Sequence, residues 1–155
     1  LDYDTYAERS PFHLSGGQMR RVAIAGVVAM EPDYLVLDEP SAGLDPFGRE
    51  EIFDEIIKLH KEKDVTVILV SHNMEDISRM ANRLIVLDKG QIVLDGKPLD
   101  IFNHHRHVLQ QVGVDVPPVS VLIESLRNRG LDVSNEVLTV DDAVQAILEG
   151  GQPVK

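Results

Sequence analysis

Two short apolar runs, Tyr34–Leu37 and Val65–Val70, each stop at a pair of residues able to do chemistry: Asp38-Glu39 after the first and Ser71-His72 after the second. A continuous apolar run of this length, rich in β-branched residues, is the pattern of a parallel strand buried on both faces. Between the runs, Asp45-Pro46 predicts a helix start, with a side-chain cap followed by proline at the first helical position. Ile52, Phe53, Ile56, Ile57 and Leu59 then form one apolar stripe, and Lys61-Glu62-Lys63-Asp64 is a polar exit. Two strand–helix units of this kind predict an α/β layer fold. Open α/β sheets bind ligands beyond the carboxyl ends of their strands. Asp38, Glu39, Ser71 and His72 therefore mark one edge as a candidate site.

The remaining pattern fits around that frame. Leu14-Ser15-Gly16-Gly17-Gln18 is a glycine-containing turn feeding a helix that runs from Gly17 to about Met30. After Arg20 and Arg21 that helix is apolar nearly all round, which predicts burial. Pro32 stops it. Asn73 is placed to cap a helix carrying Ile77 and Met80. Leu84–Leu87 reads as a third strand, and Asp88-Lys89-Gly90 turns it into a hairpin with Gln91–Asp95. From Pro98 the composition changes. Pro117-Pro118 opens a helix with Val119, Leu122, Ile123 and Leu126, with Gly130 as its stop. Thr139 and Asp142 resemble a capping box ahead of Val140, Val144, Ile147 and Leu148. Two such short helices are expected to pack on the main domain, on each other or on a partner.

Charge narrows the possible partners. The 155 residues carry 15 Lys+Arg against 26 Asp+Glu, a net charge of −11. That long-range field repels phosphate backbones and anionic lipid, so nucleic acid is not an expected partner. A nucleotide site survives the objection, because it depends on local dipoles and a divalent cation. With no cysteine there is no disulfide framework, which fits a reducing cytoplasm. No apolar run reaches the roughly 18–20 residues that span a bilayer, and no signal peptide is visible. The chain begins at Leu1 rather than methionine and reads as a piece of something longer.

A phosphate-transfer site needs a phosphate cradle, a metal ligand, a group that orients or deprotonates water, and a stabiliser of charge on the γ-phosphate. Asp38 suits Mg²⁺, since a hard carboxylate at a strand end can hold it directly or through water. Glu39 can polarise the attacking water. His72 can bond the γ-phosphate. Ser15 and Gly17 lie at a helix N-terminus, where free N–H groups and the dipole attract an anion.

In this order, these motifs resemble those of ATP-binding-cassette ATPases. The resemblance covers roughly residues 10–97. Leu14–Gln18 is similar to the signature motif, Tyr34–Asp38 to the Walker B strand, Glu39 to the catalytic glutamate, Ala42–Asp45 to the D-loop and His72 to the switch histidine. The wording of Gln18–Val27 and Asp38–Pro46 resembles the ATPase subunits of energy-coupling-factor transporters, the cobalt- and vitamin-uptake relatives, on the A′ side of the pair. The tail resembles their C-terminal extension, which contributes to pairing of the two ATPases. The resemblance implies the C-terminal part of a P-loop NTPase three-layer fold over residues 1–97, with a small helical extension over 98–155. It implies ATP and Mg²⁺ as cofactors. It implies a second ATPase subunit, a transmembrane coupling subunit and a substrate-binding membrane subunit as partners, at the cytoplasmic face of the membrane. In such a pair, Asp38, Glu39 and His72 serve the subunit's own nucleotide site. Ser15, Gly16, Gly17 and Gln18 face the nucleotide held by the opposite subunit, and Asp45 communicates between the sites.

One departure is plain. Gly-x-x-x-x-Gly-Lys-Ser/Thr does not occur; Gly90 to Gly96-Lys97 is one residue too long and is followed by Pro98. The aromatic base-stacking loop and the Q-loop are not visible either. The chain alone is therefore expected to hydrolyse ATP negligibly. A non-enzymatic dimerisation or regulatory module is the competing reading. A chromosome-maintenance ATPase half is a further one, opposed by the charge and by the lack of long heptad segments. His104, His105 and His107 read as a solvated helix end rather than a metal site, Asp88 as part of a turn, and Arg20-Arg21 as a solvating pair.

Overall fold

The computed structural model describes residues 10–150. The part of the irregular N-terminal stretch at residues 1–9 lies outside them. The chain divides into two compact units, residues 1–70 and 71–155.

In the first unit a 3-10 turn, Pro11–His13, leads into α1 (Gly16–Val28), β1 (Tyr34–Asp38), α2 (Pro46–Lys63) and β2 (Thr66–Val70). Each boundary has a local cause. Ser15 Oγ accepts from the Gln18 amide at 3.3 Å, and the Gln18 side chain accepts from the Ser15 amide at 2.9 Å. This reciprocal cap satisfies two amides that α1 leaves without helical partners. Asp45 Oδ1 accepts from the Gly48 amide at 2.7 Å, and Pro46 occupies the first turn of α2. Asp64, with φ 55°, ends α2 in the left-handed region. β1 and β2 then pair in parallel, Leu35 opposite Val67 and Asp38 opposite Val70.

Two expectations of burial are corrected here. β1 alternates: Leu35 is 2% and Leu37 8% exposed, but Tyr34 is 70% and Val36 63% exposed. On β2, Ile68 and Val70 are about half exposed. α1 has no buried residue. The strands and the helix form as the apolar pattern predicts, but nothing among the described residues covers those faces. The buried side is supplied by Leu35, Leu37, Val65 and, on α2, Ile52, Phe53 and Ile56.

The second unit opens with α3 (Met74–Met80), whose cap Asn73 accepts from the Glu75 and Asp76 amides. β3 (Leu84–Asp88) and β4 (Gln91–Gly96) form an antiparallel hairpin. Lys89 (φ 48°) and Gly90 (φ 78°) are both left-handed, the conformation a tight two-residue hairpin turn demands. Arg83 grips Asp95 with two parallel bonds of 2.8 and 2.7 Å across the hairpin. Four helices follow: α4 (Pro98–His104), α5 (Arg106–Gln111), α6 (Pro118–Asn128) and α7 (Val140–Gly150). Ile123, Val133, Val137, Ala143 and Ala146 form a closed cluster with Val119, Leu126, Leu131 and Ile147 packed on it. The two tail helices therefore bury their apolar faces against each other and the segment between them. Val140, Val144 and Leu148, expected on the same face of α7 as Ile147, are exposed. Among the described residues no helix is long and apolar enough to cross a membrane.

The start of α7 yields a stability test. The Asp142 carboxylate accepts from the Leu138 and Thr139 amides, and the Asp142 amide donates to Thr139 Oγ1 at 3.2 Å. Partial burial disfavours the charge on Asp142. The Thr139 amide and hydroxyl and the Leu138 amide outweigh it, so its carboxyl lies below the usual carboxylate value. A depressed folded-state pKa contributes stability above the unfolded value and loses it as pH falls through the folded one. Thr139→Ala is expected to cost about 1 kcal/mol at neutral pH. Asp142→Asn is expected to flatten the fall in stability below about pH 4. Acid and thermal unfolding followed by circular dichroism checks both.

Candidate functional site

The parallel register places Asp38 at the carboxyl end of β1, beside Val70 at the carboxyl end of β2. The Glu39 amide continues the ladder by donating to Val70 O at 2.9 Å. Glu39 itself is left-handed, with φ 46°. That conformation is uncommon for a residue with a side chain, and it marks a position fixed by its surroundings. The Glu39 carbonyl accepts from the Ala42 amide at 3.1 Å, and the Ser41 carbonyl accepts from the Leu44 amide at 3.2 Å. The loop from Glu39 to Asp45 is thus a chain of tight turns closed by the Asp45 cap.

α1 reaches that loop at two points. A Cβ on Gly17 would lie 3.1 Å from Leu44 Cδ2, so a glycine here permits close approach of the helix start to the loop. Arg20 donates to Pro40 O at 2.9 Å and to Ala42 O at 2.7 Å. Arg21 is paired with Glu51 on α2. These two arginines are ties between elements, which corrects their reading as a solvating pair. Residue types give no sign of this, because a carbonyl acceptor leaves no trace in the sequence. The clamp yields a prediction. Arg20→Met removes two charge-assisted bonds and should cost about 1–3 kcal/mol. Amide hydrogen exchange should quicken at Ala42 and Leu44 before it does at Ile56 on α2.

Ser15, Gly16, Gly17, Gln18, Asp38, Glu39 and Asp45 all belong to the first unit. His72 opens the second, two residues past the end of β2, and is exposed. Asp38 is exposed at its strand end. One hard carboxylate there is a donor suited to Mg²⁺, which takes one or two protein carboxylates and draws its other oxygens from phosphate and water. Gly16, at the first turn of α1, has open space where a side chain would be. The Gly16 and Gly17 amides, which the Ser15–Gln18 cap does not use, and the exposed N-terminal end of the helix dipole are therefore available to an anion. Among the described residues no three His, Asp or Glu side chains cluster as a complete cation site. His104, His105 and His107 are exposed, with His104 Nδ1 3.2 Å from Asp100 O.

The "ABC transporter" family model matches residues 2–42. The chain is 55% identical over 149 residues to the energy-coupling factor transporter ATP-binding protein EcfA2 of Clostridium perfringens; the match spans 96% of this chain and 52% of that one. The chain thus spans about half the length of the curated relatives it matches. Among solved structures, cbiO1 from Clostridium perfringens, described as part of the ABC transporter complex cbiONQ, superposes with a TM-score of 0.57 at 38% identity, over 74% of this chain and 45% of that one. A dimeric ATP-binding cassette in a post-hydrolysis state bound to ADP and Pi superposes with a TM-score of 0.55 at 34% identity, over 61% of this chain and 40% of that one.

Proposed function

We propose that this chain, a member of the ATP-binding-cassette family that corresponds to about half of an energy-coupling-factor ATP-binding subunit, carries the catalytic carboxylate and partner-facing elements of a transport ATPase. The observation that carries this reading is Asp38-Glu39 at the carboxyl end of a parallel strand, locked to the end of β2, in a chain 55% identical to such a subunit.

The roles follow from the chemistry of the groups. Mg²⁺ would be held by Asp38 and would supply neutralisation of phosphate charge. Glu39 orients the attacking water and accepts its proton. His72 donates a hydrogen bond to the γ-phosphate and reports its presence. The amides at Gly16 and Gly17, with the Ser15 hydroxyl, bind the γ-phosphate of ATP held by a second ATPase subunit, and Gln18, whose own amide is taken by Ser15 Oγ, faces the same nucleotide. Asp45, one turn of loop from Glu39 and capping α2, links the two nucleotide sites. Hydrolysis would drive uptake of a metal ion such as cobalt or nickel, or of a vitamin, through a transmembrane coupling subunit and a substrate-binding membrane subunit. The protein would then sit at the cytoplasmic face of the membrane. Residues 98–155 form the partner-contacting extension. The uncovered faces of α1 and of the β1–β2 sheet meet the part of the cassette that carries the phosphate loop.

The direct test is a chimera in which this chain replaces the corresponding half of the Clostridium perfringens relative, assembled with that relative's partner subunits. It is expected to hydrolyse ATP. A chimera that assembles yet turns over no faster than its Glu39→Gln form would overturn the reading. The 155-residue chain by itself is expected to show no turnover above its own Glu39→Gln control.

A further inference from the structure

Away from the strand ends, the second unit contains a cleft of about 220 Å³ between α4, α5 and α6. Its polar lining comes from Asn103 on α4, Arg106 on α5, Ser120, Glu124, Arg127 and Asn128 on α6, and Asn135 beyond it. We propose that this cleft binds a small oxyanion of the phosphate, sulfate or short dicarboxylate kind.

The donors argue for it. Arg106 is fixed by the fold: its Nε donates to Phe102 O at 2.9 Å, its Nη2 to Ser120 O at 3.1 Å, and its Nη1 pairs with Glu124. That leaves one N–H on each Nη still available, since a guanidinium carries five. Arg127 donates once, from Nη1 to Val133 O at 3.0 Å, and has no carboxylate partner among the described residues. It is an exposed cation on a cleft wall where the one carboxylate, Glu124, is already paired with Arg106. The Asn128 side chain makes no hydrogen bond among the described residues, and Asn103 uses one amide proton on Asn135 O.

Ser120 is the independent sign. It is 4% exposed, lines the cleft, and its Oγ is buried with no hydrogen-bond partner. A buried hydroxyl without a partner costs free energy, so native folds seldom keep one without a use. Two guanidinium groups, a hydroxyl and two carboxamides outnumber the one lining carboxylate, Glu124, which Arg106 already pairs, and form a donor set matched to an oxyanion. The size fixes the class further. The volume lies below the roughly 300–1,000 Å³ of sites for drug-sized ligands, so a whole nucleotide does not fit. With a net charge of −11, the protein gives no general affinity for anions, and specific uptake would have to come from such a local pocket. The inference is independent of the nucleotide reading, whose phosphate contacts lie at Ser15–Gln18.

The test is titration of the 155-residue chain with inorganic phosphate at constant ionic strength. It is read by calorimetry and by amide chemical shifts, with sodium chloride as reference. Saturable binding at the cleft is expected, with shifts at Ser120, Asn128 and Asn135. Asn128→Ala and Ser120→Ala should each weaken it about tenfold. Ser120→Ala should leave the anion-free melting temperature unchanged or raised, because it removes an unsatisfied buried hydroxyl. Ser15→Ala should leave this binding intact. Parallel titrations with sulfate and succinate distinguish a tetrahedral from a dicarboxylate occupant. A response equal to that of chloride, one undiminished in both cleft variants, or shifts confined to Ser15–Gln18 would overturn the proposal.

Discussion

Glu39→Gln should cut ATP turnover of the assembled chimera by about 10²–10⁴-fold while ATP binding is preserved. The substitution keeps the shape of the side chain and removes its capacity to accept a proton. The backbone at this position is held on both sides: its amide donates to Val70 O and its carbonyl accepts from Ala42 N. Glutamine can keep those bonds, and it takes the same left-handed φ of 46° at similar cost. The loss should therefore appear in kcat, with little change in the concentration of ATP that half-saturates the protein. A matched His72→Ala variant should lose turnover through weaker hold on the γ-phosphate. A Glu39→Gln chimera that turns over at the parent rate would remove Glu39 from the chemistry and leave only its place in the loop.

Much of this arrangement is legible in the residues. Asp45-Pro46, Asn73 and Thr139 with Asp142 are written as caps, and each makes the bonds its position predicts; Ser15 and Gln18, read only as a turn feeding a helix, form a reciprocal cap as well. Caps can be read because they are local: donor and acceptor lie within four residues of each other. The two apolar runs pair in parallel, as strand–helix units require, and Lys89-Gly90 turns the hairpin. Environment is less legible. Val36 and Leu37 belong to the same apolar alphabet, yet one is 63% and the other 8% exposed. An apolar residue states that a face is to be covered, without stating by what. The same limit hid the outward stripe of Val140, Val144 and Leu148. The arginine clamp was illegible for a different reason. Arg20 lies 20 residues from Pro40, and its acceptors are backbone carbonyls that any residue could supply.

Gly17→Asp should separate fold from function at the other end of the mechanism. An acidic residue in the first turn of a helix interacts favourably with the N-terminal end of the dipole, by about 0.3–1 kcal/mol. Its Cβ would meet Leu44 Cδ2 at 3.1 Å, but that contact is with a terminal methyl that can give a few tenths of an ångström. The Ser15–Gln18 cap involves no atom of Gly17. Thermal stability is thus expected to stay level or rise slightly. Activity should move the other way. A carboxylate at Gly17 competes for the amides proposed to meet the partner's γ-phosphate and repels that phosphate directly. Loss of one such preorganised set of donors costs about 10²–10³-fold. Gly17→Ala, which adds bulk without charge, should lose much less. Because the damage lies in the site facing the partner, mixing one Gly17→Asp subunit with one intact subunit should impair the site built on the intact subunit's own phosphate loop. Equal activity of the aspartate and alanine forms would show that phosphate does not approach this helix start, and the close packing of Gly17 on Leu44 would then be its whole role.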